Sequence, residues 1–504
     1  MRKALCYLVP SRLRGSSNIY KLSVNSFTNT FKMKHLLLLI GLSFSLYTFA
    51  QNKAKDYGEA LRLIEVWLDA QRDFDKLPGL SIAIVKDQDI IYKKGFGVTD
   101  LEKKSPAAPE TVYSICSISK LFTAIAIMQL WEAGKLRLDD SVSMHLSSFN
   151  LRQQFAESGP ITVRSLLTHS SGLPRESDFP YWTDFKFPAQ KEVAEKLGTQ
   201  QTLYPSSTYL QYSNLGLTLL GEIVSKVSGM PYEKYVEENI LKPLRLAHTQ
   251  TSMPQNLWRG SLATGYSALY RDGQRKMLPY FNAAGLTAAA GFSSTVEDLA
   301  RFASWQFRLL SSGAKEIIKA STLREMQRVQ WMDPDWKTAW ALGFGVAQVD
   351  GVTYTGHGGS CPGYVSVLRM NLKEKLGVVL MINAQGVNTE KYANGIFNIL
   401  SKVTAVTKPD TTNLKEYSGY FENYAWQGET VIMPWQGKLA LFGLPSDNPA
   451  TQMTLFKQVS GDVFRRVRSD DTLGEELRFE RDASGRVIRF WRHSNRYQKM
   501  DRRI

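Results

Sequence analysis

The sequence predicts an α+β chain: an antiparallel sheet flanked by helices, with a helical insertion, followed by a small all-β barrel-like domain. Three observations carry this. Strand-like stretches at residues 80–97 and 341–383 enclose a helical, loop-rich middle, so one sheet has to be assembled from distant segments. Residues 121–131 (LFTAIAIMQLW) are apolar almost all round, the mark of a helix buried on every side. Beyond linker-like residues 406–413 (VTKPDTTN), short strands separated by turn signals replace helical periodicity.

In chain order, residues 56–72 show helical apolar spacing. Residues 80–97 read as a hairpin with a polar Lys-Asp-Gln-Asp turn, and the apolar helix follows. Between 135 and 290 come short helices and loops punctuated by Pro and Gly, among them Ser170-Ser171-Gly172-Leu173-Pro174. Residues 214–228 and 296–311 are helical in period. Residues 341–349, 352–356, 364–371 and 377–383 read as strands, and 389–403 as a closing helix. In residues 414–504 the strand-like stretches are 430–433, 438–442, 463–467, 477–480 and 487–491. Tyr417, Tyr420, Phe421, Tyr424, Trp426 and Trp435 are expected as the core of this β-domain.

A length of 504 residues suggests two or three domains, and 43% hydrophobic with 22% charged residues is enough apolar material for a large core. Residues 33–50 have the form of a secretory signal peptide: a short basic start (Met33-Lys34-His35), an apolar stretch, and Thr48-Phe49-Ala50 at the cleavage point. The stretch is shorter than the ~20 apolar residues of a spanning helix. Gln51 is the expected mature start, and residues 1–32 fit an upstream mis-called start codon. These readings place the protein in the periplasm or outside a bacterial cell, with no stable membrane anchor. Residues 1–50 carry seven basic residues and no acid, so the chain without them has a formal charge of +8 rather than +15. No long basic run remains, which argues against a nucleic-acid partner. Of three cysteines, Cys6 falls in the leader, and Cys116 and Cys361 remain in the expected main domain, residues 51–405.

Ser117-Ile118-Ser119-Lys120 puts a hydroxyl and an amine at i and i+3, on one helical face. Serine needs a base to become a nucleophile, and lysine becomes one when burial lowers its pKa. Tyr212-Ser213-Asn214 opens the helix at 214–228. It offers a phenol that nearby cations could turn into a base, and an amide that both donates and accepts. His357-Gly358-Gly359 follows Gly356 on a predicted strand, where glycine permits close approach of a ligand. Each motif alone also has a plain structural reading: a capping serine, a Ser/Asn helix start, a Gly-rich turn. There is no G-x-S-x-G elbow and no H-E-x-x-H, and the six histidines are scattered. A metal site is therefore not expected, and His169 reads as a structural hydrogen-bonding residue.

The order S-x-x-K, Y-x-N, H-x-G, 95 and 145 residues apart, resembles the serine β-lactamase and penicillin-binding protein superfamily. The likeness is to its class C-like branch, which holds DD-carboxypeptidases, D-aminopeptidases and esterases. Residues 161–174 (ITVRSLLTHSSGLP), 285–302 (GLTAAAGFSSTVEDLARF) and 356–363 (GHGGSCPG) add to it. The resemblance implies Ser117 as the acylated nucleophile, with Lys120 and Tyr212 sharing the proton handling. It implies Asn214 as an amide clamp, His357 and Gly359 at the substrate, and the N–H groups of Ser117 and Ser360 as oxyanion donors, with no cofactor. Class C β-lactamases usually carry Lys-Thr-Gly at the third motif. His357 is mostly neutral near pH 7, which favours a peptidase or esterase over a β-lactamase proper. A non-turnover penicillin-binding sensor on the same fold is the alternative from another class. The expected partner is a small-molecule or peptide substrate, peptidoglycan-derived peptides among the candidates.

Two further expectations follow from the resemblance. Cys116 precedes the nucleophile and Cys361 follows the implied oxyanion donor, and some class A carbapenemases have a disulfide at the same relative positions. A Cys116–Cys361 bridge is expected. The β-domain resembles small barrel-like modules appended to this branch; its role is left open by the sequence, with capping of the cleft as one hypothesis.

Overall fold

The computed structural model describes residues 55–336, 339–405, 413–425, 427–502 and 504. The expected leader, signal peptide, Cys6, Trp426 and nearly all of the linker lie outside the described residues. The hairpin strands β1 (Gly79–Lys86) and β2 (Asp89–Asp100) join β3 (Gly345–Val349), β4 (Val352–Cys361), β5 (Tyr364–Asn371) and β6 (Leu376–Ile382) in one antiparallel sheet. The spatial order is β2-β1-β6-β5-β4-β3, with two-residue strands extending it to nine at the edges. Pairing of β1 with β6, Leu80 opposite Ile382, closes the sheet across some 300 residues of chain. It is the assembly from distant segments that the pattern predicts.

Both faces of the sheet are covered, so β1 and β6 are apolar on both. Ala83 and Val85 face a core with α2 (Ser119–Glu132), α3 (Asn214–Ser228) and α4 (Val296–Ser312). Ile82 and Ile84 face a second core with α1 (Gly58–Phe74) and α5 (Thr389–Ser401). Helix α2 is buried at every position from Ser119 to Met128, as its uniform hydrophobicity demands. The expected strand 341–349 is interrupted: only 345–349 is strand, after the short strand Ala339–Trp340. Gly343 has φ +77° and lies so close to α2 that a Cβ would sit 2.4 Å from that of Ala124. The turn there presses the sheet onto the helix that begins at the S-x-x-K motif. Strand β4, conversely, continues through His357-Gly358-Gly359 to Cys361, where a turn was the competing reading.

From Gly419 to Lys499, eight antiparallel strands close into a barrel, three more than the stretches legible in sequence. Tyr417, Phe421, Phe464, Phe479 and Phe490 fill its interior. Tyr424 does not join that core: it sits in the turn after Asn423 and is 99% exposed. Tyr420 and Trp435 are buried on the outside of the barrel, in the core that contains α1 and α5. Trp67 Nε1 of α1 donates to the Ser446 carbonyl at 2.7 Å, and Ser446 N donates to Gln71 Oε1 at 3.2 Å. The barrel thus docks on the helix layer of the sheet face opposite α2. No described barrel residue lines the cleft around Ser117, so the capping hypothesis finds no support there.

Candidate active site

The nucleophile turn is built on local backbone strain. Ser117 lies in a 3₁₀ turn, Cys116–Ile118, immediately before α2. Cys116 has φ +49°, a region that costs a non-glycine residue energy and has to be held by its surroundings. Three contacts hold it. Ile115 N donates to Phe292 O at 2.9 Å, Ser119 Oγ donates to Cys116 O at 2.6 Å, and Cys116 is joined to Cys361 in a disulfide, Cα atoms 5.6 Å apart. The disulfide ties the turn to the end of β4. Gly359 permits this approach: a Cβ there would lie 2.3 Å from the Ile115 carbonyl oxygen.

Lys120 is fully buried one turn beyond Ser117. Its Nζ donates at 2.8 Å to Asn214 Oδ1 and at 2.8 Å to the Ala289 carbonyl, and lies 3.1 Å from Ser117 Oγ. Burial drives its pKa well below the usual lysine value; the Glu176 carboxylate works against this and the Arg175 guanidinium with it. A neutral amine has two N–H groups and one lone pair. The two carbonyl-type acceptors use both N–H groups, which leaves the lone pair for the Ser117 hydroxyl proton. Asn214 is held in the required orientation because its Nδ2 donates to Glu176 Oε1 at 2.7 Å.

Tyr212 lines the same cleft as Ser117. Burial pushes its phenol up, outweighing the opposing effects of the nearby Ser117 hydroxyl and the Arg175 charge. Raised in this way it stays a phenol, beside a Lys120 whose pKa burial lowers. Its ring is packed from several directions. His169 stacks on it at 4.2 Å, and Lys120 Nζ and Arg175 Cζ each lie 4.9 Å from its centroid. His169 Nδ1 accepts the Ser213 N–H at 3.1 Å, the structural role expected of it, and Ser213 Oγ caps α3 by accepting from Gly216 N.

His357 lies on β4, is 8% exposed, and has Nδ1 2.5 Å from the Gly358 carbonyl. Burial lowers its pKa to about 3. It is a neutral imidazole, and its Nε2 has no hydrogen-bond partner. Ser117, Tyr212, His357, Gly359 and Ser360 line one cleft of about 680 Å³. The structure thus brings together the residues singled out in the sequence; Lys120 and Asn214 stand buried behind Ser117.

Three functional candidates escaped sequence reasoning. Arg175 and Glu176 directly follow the 161–174 landmark, which was their one available signal. Gln385 lines the cleft and donates to the Tyr364 carbonyl at 2.8 Å, to the Cys361 carbonyl, and to Ser360 Oγ at 3.3 Å. Nothing in its local sequence marks it. Among the described residues no group of His, Cys, Asp and Glu could hold a metal ion, and no helix is long and apolar enough to cross a membrane.

The chain is 28% identical over 334 residues to the protein flp of Staphylococcus aureus (strain N315), covering 62% of this chain and 63% of flp, just under two thirds of that relative's length. It is 28% identical over 304 residues to the beta-lactamase-like protein 2 of Dictyostelium discoideum, covering 59% of this chain and 54% of that protein. The structure of an octameric penicillin-binding protein homologue from Pyrococcus abyssi superposes with a TM-score of 0.60 at 26% identity, covering 87% of this chain and 99% of that one. A D-stereospecific amidohydrolase from Streptomyces sp. superposes with a TM-score of 0.55 at 24% identity, covering 68% and 98%, and so shares the fold. The family model described as beta-lactamase matches residues 67–399, which span the sheet, its two helix layers and every motif residue above: the chain belongs to the beta-lactamase family, within the serine hydrolase superfamily of that fold.

Proposed function

We propose that this protein is an exported serine hydrolase that cleaves an amide or ester through an acyl-enzyme on Ser117, a class C-like peptidase acting on D-amino acid peptides or an esterase. The observation that carries the reading is the coordination of Lys120, whose two N–H groups are occupied and whose lone pair is left for Ser117. Lys120 takes the Ser117 proton as Oγ attacks the carbonyl carbon. The N–H groups of Ser117 and Ser360 hold the resulting oxyanion. Tyr212, a phenol in the same cleft with Lys120 Nζ 4.9 Å from its ring centroid, gives its proton to the leaving atom and regains one from Lys120. Water then attacks the ester, with Lys120 again as base.

A neutral His357 supplies no fixed charge for a drug carboxylate, which supports the peptidase or esterase reading over a β-lactamase. Export is supported by the signal-peptide pattern of residues 33–50 and by the Cys116–Cys361 disulfide, since such bonds persist in oxidising compartments. The test is mass spectrometry of the mature protein after brief exposure to a fluorophosphonate, a penicillin and a panel of D-alanyl peptides and esters. The expected result is an adduct on Ser117 with turnover of at least one substrate, and loss of both in folded Ser117→Ala. A stable penicillin adduct without any turnover would make the protein a sensor, and hydrolysis unchanged in Ser117→Ala would overturn the assignment.

A further inference from the structure

Four large apolar side chains stand in water on one corner of the catalytic part: Leu101 is 44% exposed, Leu269 41%, Tyr270 49% and Met277 42%. They come from two turns that touch. Leu101 follows β2, and its N–H donates to the Tyr266 hydroxyl at 2.7 Å. Tyr266 begins a hairpin: it bridges to Met277, and at the tip Tyr270 N donates to Gln274 O at 2.9 Å. Arg275 pins the hairpin by donating to the carbonyls of Asp75, Lys76, Ser267 and Gln385 at 3.2, 2.8, 2.9 and 2.7 Å. So held, the hairpin keeps its apolar tip out of the core, and an apolar cluster fixed in water marks a binding surface. The same turns, residues 101–104 and 266–278, carry Lys103, Lys104, Arg271, Arg275 and Lys276 against two acids, Glu102 and Asp272. Glu102 is paired with Arg259, Asp272 accepts from Gln274 N, and Lys276 Nζ lies 4.7 Å from the centroid of the Tyr270 ring.

We infer that this corner docks on a lipid bilayer whose surface carries anionic headgroups, reversibly and without a spanning segment. Leu101, Leu269, Tyr270 and Met277 enter the boundary between headgroups and acyl chains, and the cations around them meet the phosphates. Charge complementarity selects this occupant. The cations bring the corner to an anionic surface, and the apolar side chains need an apolar phase behind that surface. A soluble polyanion offers the charge without the phase. A hairpin tip protrudes, so it enters a soft, continuous surface with no matching groove. Neither signal is strong alone; together they give an attachment that one does not. The inference is independent of the chemistry proposed for Ser117, and it bears on where that chemistry happens. Gly386 lines the cleft, and a Cβ on it would lie 2.8 Å from that of Ala268, the residue before Leu269. Docking therefore holds the cleft beside the bilayer.

The test is co-sedimentation of the mature protein with vesicles of mixed phosphatidylglycerol and phosphatidylcholine, and with vesicles of phosphatidylcholine alone. Binding is expected on the anionic vesicles at low salt, with release at about 1 M salt, where charges are screened beyond ~3 Å. Two surface variants separate the two signals. Lys104→Glu with Arg271→Glu should weaken binding by about twentyfold or more, each cation near an anionic surface being worth about fivefold. Leu269→Ser with Tyr270→Ser and Met277→Ser should weaken it by about tenfold or more. Both variants should keep the thermal unfolding transition of the unaltered protein, so that a loss of binding is not a loss of fold; a variant that fails this is replaced by the single changes Arg271→Glu or Tyr270→Ser, with proportionally smaller losses expected. Binding that is absent, or equal on the two kinds of vesicle, overturns the inference. So does binding lost in the charge variant and unmoved in the apolar one, which would make the corner a site for any polyanion, and binding unmoved in the charge variant.

Discussion

At the scale of single residues, the site works through charges that never touch the reacting atoms. Glu176 holds Asn214 by one hydrogen bond and raises the pKa of Lys120, while Arg175 lowers it. Their removal should therefore have opposite signs. In the proposed mechanism the active form of Lys120 is the neutral amine, so acylation rises with pH through its pKa. Glu176→Gln keeps an acceptor for Asn214 but removes the negative charge, which lowers that pKa and moves the acid limb of kcat/KM to lower pH. Arg175→Ala moves it to higher pH. Glu176→Ala also frees the Asn214 amide to turn, and the plateau should fall by on the order of tenfold to a hundredfold, the usual effect of a misplaced reacting group. Profiles measured with a neutral ester check this; limbs that coincide in all three variants would remove Glu176 and Arg175 from the electrostatics of Lys120. The motif residues were legible in sequence because their chemistry is carried by type and local spacing. Glu176 was not, because its role is defined by Asn214, 38 positions away. The protonation state of Tyr212 was not legible for a related reason: burial is a property of the whole fold, and it outweighs the cations that the sequence places nearby.

At the scale of elements, periodicity located the helices to within two residues, since each of α1, α3, α4 and α5 keeps an apolar stripe in register with 3.6. Strand boundaries near the site were less legible, because glycine signals a turn and a close approach alike. Gly343 makes a turn, whereas Gly359 stays in β4 and allows contact with Ile115. Only the partner across the gap distinguishes them. The distinction can be tested. In Gly359→Ala the new Cβ meets the Ile115 carbonyl and Ser366 Oγ, both at 2.3 Å, so β4 and the nucleophile turn have to separate. The expected cost is about 1–3 kcal/mol of stability and on the order of a hundredfold in acylation rate. Gly345→Ala in the same sheet meets nothing nearer than 3.5 Å and should leave both close to the unaltered protein. Equal behaviour of the two variants, by thermal unfolding and ester hydrolysis, would show that the close approach at Gly359 is not needed.

At the scale of the whole molecule, the barrel shares a core with the catalytic part. Sequence reasoning saw a composition shift and a run of short strands, and from these expected a module appended across a linker. It could not see that Tyr420, Val431, Met433 and Trp435 point out of the barrel and into α1 and α5, because alternating apolar positions look the same whether a strand faces its own core or a neighbour's. The consequence for function differs from capping. Helix α1 buries Trp67, Ile64 and Leu68 in that shared core, and Trp67 Nε1 finds its acceptor in Ser446. Cutting the chain after residue 405 would leave this apolar layer facing water and orphan the Trp67 N–H, a combination that favours aggregation over a change of specificity. Full-length mature protein should unfold in one cooperative transition, and a 51–405 fragment should be insoluble or lack that transition while the Ser117 chemistry of the intact chain is unaffected by the barrel's outer surface. Calorimetry and solubility of the two forms decide it. A soluble, cooperatively folded fragment with an altered substrate profile would return the barrel to a role at the cleft.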